Sequence, residues 1–192
     1  MLYNLPMASD LPDPADLSLR FYPDPVLRVR CSDVEAVTPR HAAIALGMIE
    51  VMREEGGIGL AAPQVGLDIR LFVADVPPPE EPDPNANPPV ASKGPIILFN
   101  PVIKEFRGEV TSREEGCLSI PDVRGDVLRP AEVVVQGLDH NGKPVTIHAG
   151  GLLARCFQHE IDHLDGVLII SKMTQLSRMK NRRAIRELER SA

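Results

Sequence analysis

The stretch GLLARCFQHEIDHLDG, residues 151–166, constrains the fold more than any other part of the chain. Read as a helix from about Gly151 to Asp165, ended by Gly166, it is apolar around much of its circumference, through Leu152, Leu153, Cys156, Phe157, Ile161 and Leu164. A helix of that kind is buried, so other elements must cover most of its sides. Polar groups nevertheless sit within the apolar surface. His159 and His163 are four apart and share a helical face, with Glu160 directly after the first. Two histidines so spaced can share a metal ion, with the glutamate beside it as a base.

A catalytic site of this type takes three protein ligands and keeps one position open. Cys156 shares the stripe but stands seven residues from His163. At ~1.5 Å rise per residue that is ~10 Å between Cα atoms, too far for one ion with ~2.0–2.3 Å ligand bonds. Cys156 therefore reads as core packing. His140 in a turn, His148 at a strand end, and His41 and Cys31 are each accounted for by local context, although His148 stays open as a ligand. Cys117, in EEGCLSIP, follows a glycine that lets the backbone approach a neighbour closely. A thiolate there would complete a Cys-His-His set, but a buried cysteine in a strand is common. GGIGLAAPQVG (56–66) is made of small residues and ends near Gln64, whose carboxamide can donate to a developing oxyanion. Such composition also fits a tight helix-to-strand connection.

The remaining elements follow from punctuation and period. YPDPVL (22–27) is a turn. Thr38 is an N-cap with Pro39 at the first helical position, and Ala42, Ala45, Leu46, Ile49 and Met52 form one stripe of a helix over 39–55 that stops at Gly56. Residues 68–76 read as a strand, and 96–106 as a β segment broken at Asn100-Pro101. Residues 77–95 hold eight prolines and read as an extended surface loop, too proline-rich to pack. HNGK (140–143) is a hairpin turn between two strands, and a last helix runs from about Thr174 to Arg190.

With 192 residues and no internal repeat, the chain reads as one domain over 18–192, with residues 1–17 as a disordered extension and Met7 as an alternative start. Three widely spaced cysteines are not a disulfide framework. The opening residues lack the pattern of a secretory signal or an Arg-rich transit peptide, and no apolar run approaches a membrane span. The expected location is cytoplasmic, with no membrane partner. A net charge of −6 argues against a general nucleic-acid binder, so no DNA partner is expected. Residues 172–192 differ from the rest, with seven basic and two acidic residues.

Together the segments resemble the peptide deformylase family. Its motifs G-x-G-L-A-A-P-Q, E-G-C-L-S and Q-H-E-x-D-H stand here as GIGLAAPQ (57–64), EGCLS (115–119) and QHEIDH (158–163), in family order. The likeness covers about residues 18–175 and includes YPDPVL and the helix before the first motif. It implies an α+β fold, with antiparallel β-sheets around a central metal-binding helix and a C-terminal helix. It implies that Cys117, His159 and His163 hold one divalent ion, usually Fe2+, with Zn2+, Ni2+ or Co2+ as replacements. Glu160 would be the base, Gln64 and the Leu118 N–H would bind the oxyanion, and Ile58 and Gly59 would contact the substrate. The implied reaction is removal of formate from the N-terminal formyl-methionine of nascent polypeptides, and the implied partner of the basic C-terminal helix is the ribosome. Arg113 and Arg155 fall near positions that line the methionine pocket in relatives, and their heads are expected to snorkel to solvent. The alternatives are an HExxH-type metallopeptidase, which more often takes His or Glu as its third ligand, and a non-catalytic relative. The intact EGCLS and Gln64 argue against the first. A non-catalytic relative would lack Glu160 or Gln64, and both are present.

Overall fold

The computed structural model describes residues 11–83 and 85–190. Its first long element is α1, Pro39–Glu54, which begins where Thr38 caps it. The Thr38 hydroxyl accepts from the His41 N–H, and His41 Nδ1 accepts from the Thr38 N–H at 3.2 Å. The chain leaves α1 at Gly56, in the left-handed region at φ 68°. The buried face is turned from the expected stripe. Ile44, Ala45, Met48, Ile49 and Met52 are buried, whereas Leu46 is 59% exposed. The cause is a second layer. Leu11 and Leu17 pack into the same cluster as α1, and a Cβ on Gly47 would stand 2.8 Å from the Pro14 carbonyl. Residues 11–17, expected as part of an extension, thus contribute to the core; residues 1–10 lie outside the described residues.

Five antiparallel strands form one sheet in the order β1 (Gly59–Ala61), β2 (Leu71–Ala74), β3 (Ile96–Cys117), β4 (Ile120–Leu138) and β5 (Pro144–Gly150). β2 is shorter than the expected 68–76, because its approach pairs elsewhere: Asp68 accepts from the Ser32 N–H and Ile69 bridges Ser32. The expected break at Asn100-Pro101 is a bulge inside a continuous β3, with the register shifting between Phe99 and Val102. Asn100 takes φ 49°, which asparagine tolerates, and its side chain clasps both the N–H and the carbonyl of Val34 at 2.8 Å. β3 and β4 run paired to the tight turn that follows Cys117. The β4–β5 turn at residues 139–143 is the expected hairpin, with Gly142 at φ 74°.

The helix α2, Gly151–Leu164, touches all five strands, and ten of its residues are buried, which is the covering its apolar circumference requires. Distant segments hold its two ends. At the start, the N–H groups of Gly150 and Leu153 donate to the carbonyls of Pro89 and Val90. Part of the proline-rich loop is therefore packed over the helix N-terminus, where backbone donors need partners. At the end, the Leu164 carbonyl accepts from the Cys31 N–H and from Arg70. A short helix, α3 (Ile169–Lys172), leads to α4 (Gln175–Arg190), which the Thr174 hydroxyl caps through the Ser177 N–H. Ser177 and Asn181 fasten α4 to β4 at Asp126 and Arg124. Among the described residues, no helix is long and apolar enough to cross a membrane.

Candidate active site

The two histidines of α2 stand one turn apart with their Nε2 atoms 3.2 Å from each other. β3 delivers Cys117 to the same point, its Sγ 3.2 Å from His163 Nε2. One ligand atom from each of Cys117, His159 and His163 lies within 4.8 Å of the others. The corners of a tetrahedron with ~2.0–2.3 Å ligand bonds are ~3.3–3.8 Å apart, so the triangle is the right size for one ion. Burial disfavours a proton on His159, but the Cys117 and Glu115 contacts and the Glu160 charge outweigh it and hold His159 well above its ordinary pKa. The surroundings thus stabilise a positive charge. Burial, together with the charges of His159 and Arg129, pushes His163 well below its own. A thiolate with two imidazoles suits iron or zinc over magnesium.

The other candidates serve elsewhere, Cys156 as the spacing argument required. The Cys156 thiol donates to the Ile58 carbonyl at 3.5 Å and packs in the core. Cys31 is buried, which with the Asp68 charge pushes its thiol up to about 12. His148 pairs with Glu132, His140 with Asn141, and His41 caps α1.

Gln64 sits in a 3-10 turn, Ala62–Val65, directly after β1. The Ala61 N–H donates to its Oε1 at 2.8 Å, which fixes the amide so that Nε2 faces the site. Nε2 donates to Ser119 Oγ at 3.2 Å and to Cys117 Sγ at 3.6 Å. Gly59 is required by close approach: a Cβ there would stand 2.3 Å from Glu160 Oε1 and 2.7 Å from Cys156 Sγ. Gly116 has no such role, since a Cβ would meet only the Arg124 side chain at 3.4 Å or more. Glu160 is 4% exposed, and its Oε2 has no hydrogen-bond partner among the described residues. Burial, partly offset by His159 and Arg129, raises its carboxyl to about 7. These groups open on a cleft of about 380 Å3, lined also by Ile58, Leu118 and Leu152.

Sequence reasoning missed the ionic frame behind the ligands. Glu115 accepts from Arg129 at 2.7 and 2.9 Å, from Arg155 at 2.7 Å, and contacts His159 Nδ1 at 3.1 Å. Burial works against the Glu115 charge, but His159 and Arg129 outweigh it and hold the carboxyl at about 2. Arg129 also reaches Asp162 at 2.7 Å. Arg113 is exposed, as expected, but Arg155 is not snorkelled: it is 6% exposed, and its guanidinium reaches inward to Glu115, Thr111 and Val127. The available signal was the glutamate of the EGCLS motif, a charge two positions before a ligand.

Fold and site together define a metal-dependent hydrolase, with the ligand histidines on one buried helix and a thiol as third donor. The sequence matches the polypeptide deformylase family over residues 17–179. It is 42% identical to peptide deformylase 2 of Gloeobacter violaceus over 157 residues, 82% of this chain and 79% of that protein. It is 44% identical to the peptide deformylase of Thermodesulfovibrio yellowstonii over 164 residues, 85% of this chain and 93% of that one. The crystal structure of peptide deformylase from Ehrlichia chaffeensis superposes with a TM-score of 0.81 at 36% identity, over 91% of this chain and 96% of that one. The chain belongs to the polypeptide deformylase family, metal-dependent hydrolases that remove the N-terminal formyl group of newly made polypeptides.

Proposed function

We propose that this chain deformylates nascent formyl-methionyl polypeptides through one divalent ion held by Cys117, His159 and His163, with Fe2+ as the resident ion and Zn2+, Ni2+ or Co2+ as replacements in a purified sample. The observation that carries this reading is that His163 Nε2 stands 3.2 Å from both Cys117 Sγ and His159 Nε2, beside a Glu160 Oε2 that is unpartnered among the described residues. An ion held by these three residues would supply Lewis acidity, polarising the formyl carbonyl and making water acidic enough to attack near neutral pH. Glu160, buried and with its Oε2 unpartnered among the described residues, takes a proton from the attacking water and passes it to the leaving amine. Gln64 Nε2, aimed by the Ala61 N–H, and the backbone N–H of Leu118 donate to the oxyanion as charge develops. β1 is an edge strand at the cleft, so Ile58 and Gly59 meet the substrate backbone there, with the methionine side chain against Ile58.

The catalytic unit is one domain that includes residues 11–17, because Leu11 and Leu17 pack in the same cluster as α1. The test is anaerobic purification, metal analysis and two assays on the same sample. A formyl-methionyl peptide should lose formate, while an internally quenched peptide stays intact; cleavage of the second and not the first would favour the HExxH metallopeptidase alternative. We place the enzyme in the cytoplasm, where nascent chains are made, and propose that α4 contacts the ribosome. Its cations, including Lys180, Arg182, Arg183 and Arg186, are largely exposed. Deleting residues 176–192 should weaken ribosome co-sedimentation at low salt, where charge contacts are strongest; unchanged co-sedimentation would refute that contact.

A further inference from the structure

We infer that Arg155 is a positioning residue that works through Glu115 on the ligand His159. Arg155 and His159 are one turn apart on α2, and they reach opposite oxygens of one carboxylate. Arg155 Nη1 donates to Glu115 Oε1 at 2.7 Å, and His159 Nδ1 lies 3.1 Å from Oε2. Glu115 is thereby held to the helix at two points, which sets the plane of its carboxylate. With Nδ1 committed to that carboxylate, Nε2 is the nitrogen left to bind the ion, and its direction follows the carboxylate plane. Arg129 also grips both oxygens, but Arg129 and Glu115 lie on β4 and β3, so that pair fixes Glu115 within the hairpin. Arg129 has its own link to α2 at Asp162, which lies beyond His159 and leaves the N-terminal side of the carboxylate to Arg155.

Arg155 is itself immobilised. Nη1 also donates to the Val127 carbonyl at 3.0 Å, and Nη2 donates to the Thr111 carbonyl and hydroxyl at 2.9 and 3.2 Å. One buried guanidinium thus ties β3, β4 and α2 together one turn before the ligand. Because Arg155 also lines the cleft, the substrate pocket wall and the ligand set form one mechanical unit. A planar fork does this; a point charge does not.

The inference rests on His159 being a ligand, and the experiment separates the two. Co2+ affinity is measured by chelator competition, and the visible spectrum of the Co2+-loaded protein is recorded, for the full chain and for Arg155→Met, Glu115→Gln and the double variant. Removing a group that orients a ligand costs ~10–100-fold in metal affinity. Arg155→Met should weaken Co2+ binding at least ~10-fold and shift the spectrum, and the effect should largely vanish in the Glu115→Gln background. Arg70→Met is the control. It removes a buried arginine at the other end of α2 and should lower melting temperature with the Co2+ spectrum unchanged. If Arg155→Met does not fold, Arg155→Lys carries the same cycle, because it keeps a cation near Glu115 without the fork. Wild-type Co2+ affinity in the folded Arg155 variant, or an equal loss in both backgrounds, overturns the inference. Intact Co2+ binding in Cys117→Ala and His159→Ala overturns the ligand assignment instead.

Discussion

Glu115 and Glu160 are both buried, at 7% and 4% exposed, and both act on His159, yet their surroundings differ in kind. The wall around Glu115 is ionic. Two arginines and a histidine meet its oxygens, and the carboxyl is held at about 2. Glu160 lies against the bare backbone of Gly59 and the Cys156 thiol, with Oε2 unpartnered among the described residues, and its carboxyl rises to about 7. A carboxylate saturated with donors is an anchor, because taking up a proton would break its contacts. A carboxylate without donors is suited to moving one. Neighbouring carboxyls whose surroundings push them apart mark which is structural and which is chemical.

The harshest way to break the comparison is to remove what both glutamates serve. Cys117→Ala should abolish deformylation and most metal binding, because two imidazoles alone leave the ion half-held. Cys156→Ala, the thiol that packs beside Glu160, should keep stoichiometric metal and cost only packing stability. Metal content and formyl-peptide turnover of the two variants decide this. Loss of metal from Cys156→Ala with retention in Cys117→Ala would reverse the ligand assignment.

Next in size is Glu160→Gln, which keeps shape and removes the proton carrier. General acid–base catalysis contributes ~10²–10⁴-fold, so turnover should fall at least ~100-fold. The loss should appear in kcat, since the proton moves in the transition state and not in substrate binding. Metal content and melting temperature should hold or improve, because Oε2 gives up no partner. Turnover near wild type would show that another group carries the proton.

Much of this contrast was legible in the chain. The i, i+4 histidines, the rise that disqualified Cys156, the Thr38 cap and the apolar circumference of α2 depend only on local geometry, which sequence period reports. Glu115 stands inside a motif, but its role depends on Arg129, Arg155 and His159, which lie 14, 40 and 44 residues away. Pairing at that separation has no local signature, so Arg155 read as a surface arginine. The turned face of α1 has the same origin. The expected stripe took in Leu46 and left out Ile44, and the choice between them depends on distant partners, Leu11 and Leu17 as well as Leu71 and Val73 in the same cluster.

Glu115→Gln completes the contrast with the smallest loss of activity and the largest relative loss of stability. Gln keeps the volume and one acceptor but replaces a charged oxygen with a donor facing arginine. Arg129 and Arg155 are then left buried without their shared counter-charge, at 3% and 6% exposed. Removing one partner of a buried pair costs ~3–5 kcal/mol, and the retained acceptor and the Asp162 contact place this case near ~3 kcal/mol. Metal affinity should fall ~10-fold, because His159 Nδ1 loses its carboxylate. With the ion supplied in excess, kcat should stay within a few-fold of wild type, since Glu115 has no proton to move. The signature is the mirror image of Glu160→Gln: stability and metal affinity lost, turnover kept. Chemical denaturation, chelator competition and kcat at saturating metal measure the three terms. If Glu115→Gln instead kept its stability and lost turnover, the two glutamates would exchange roles, and the ionic wall would belong to the chemistry.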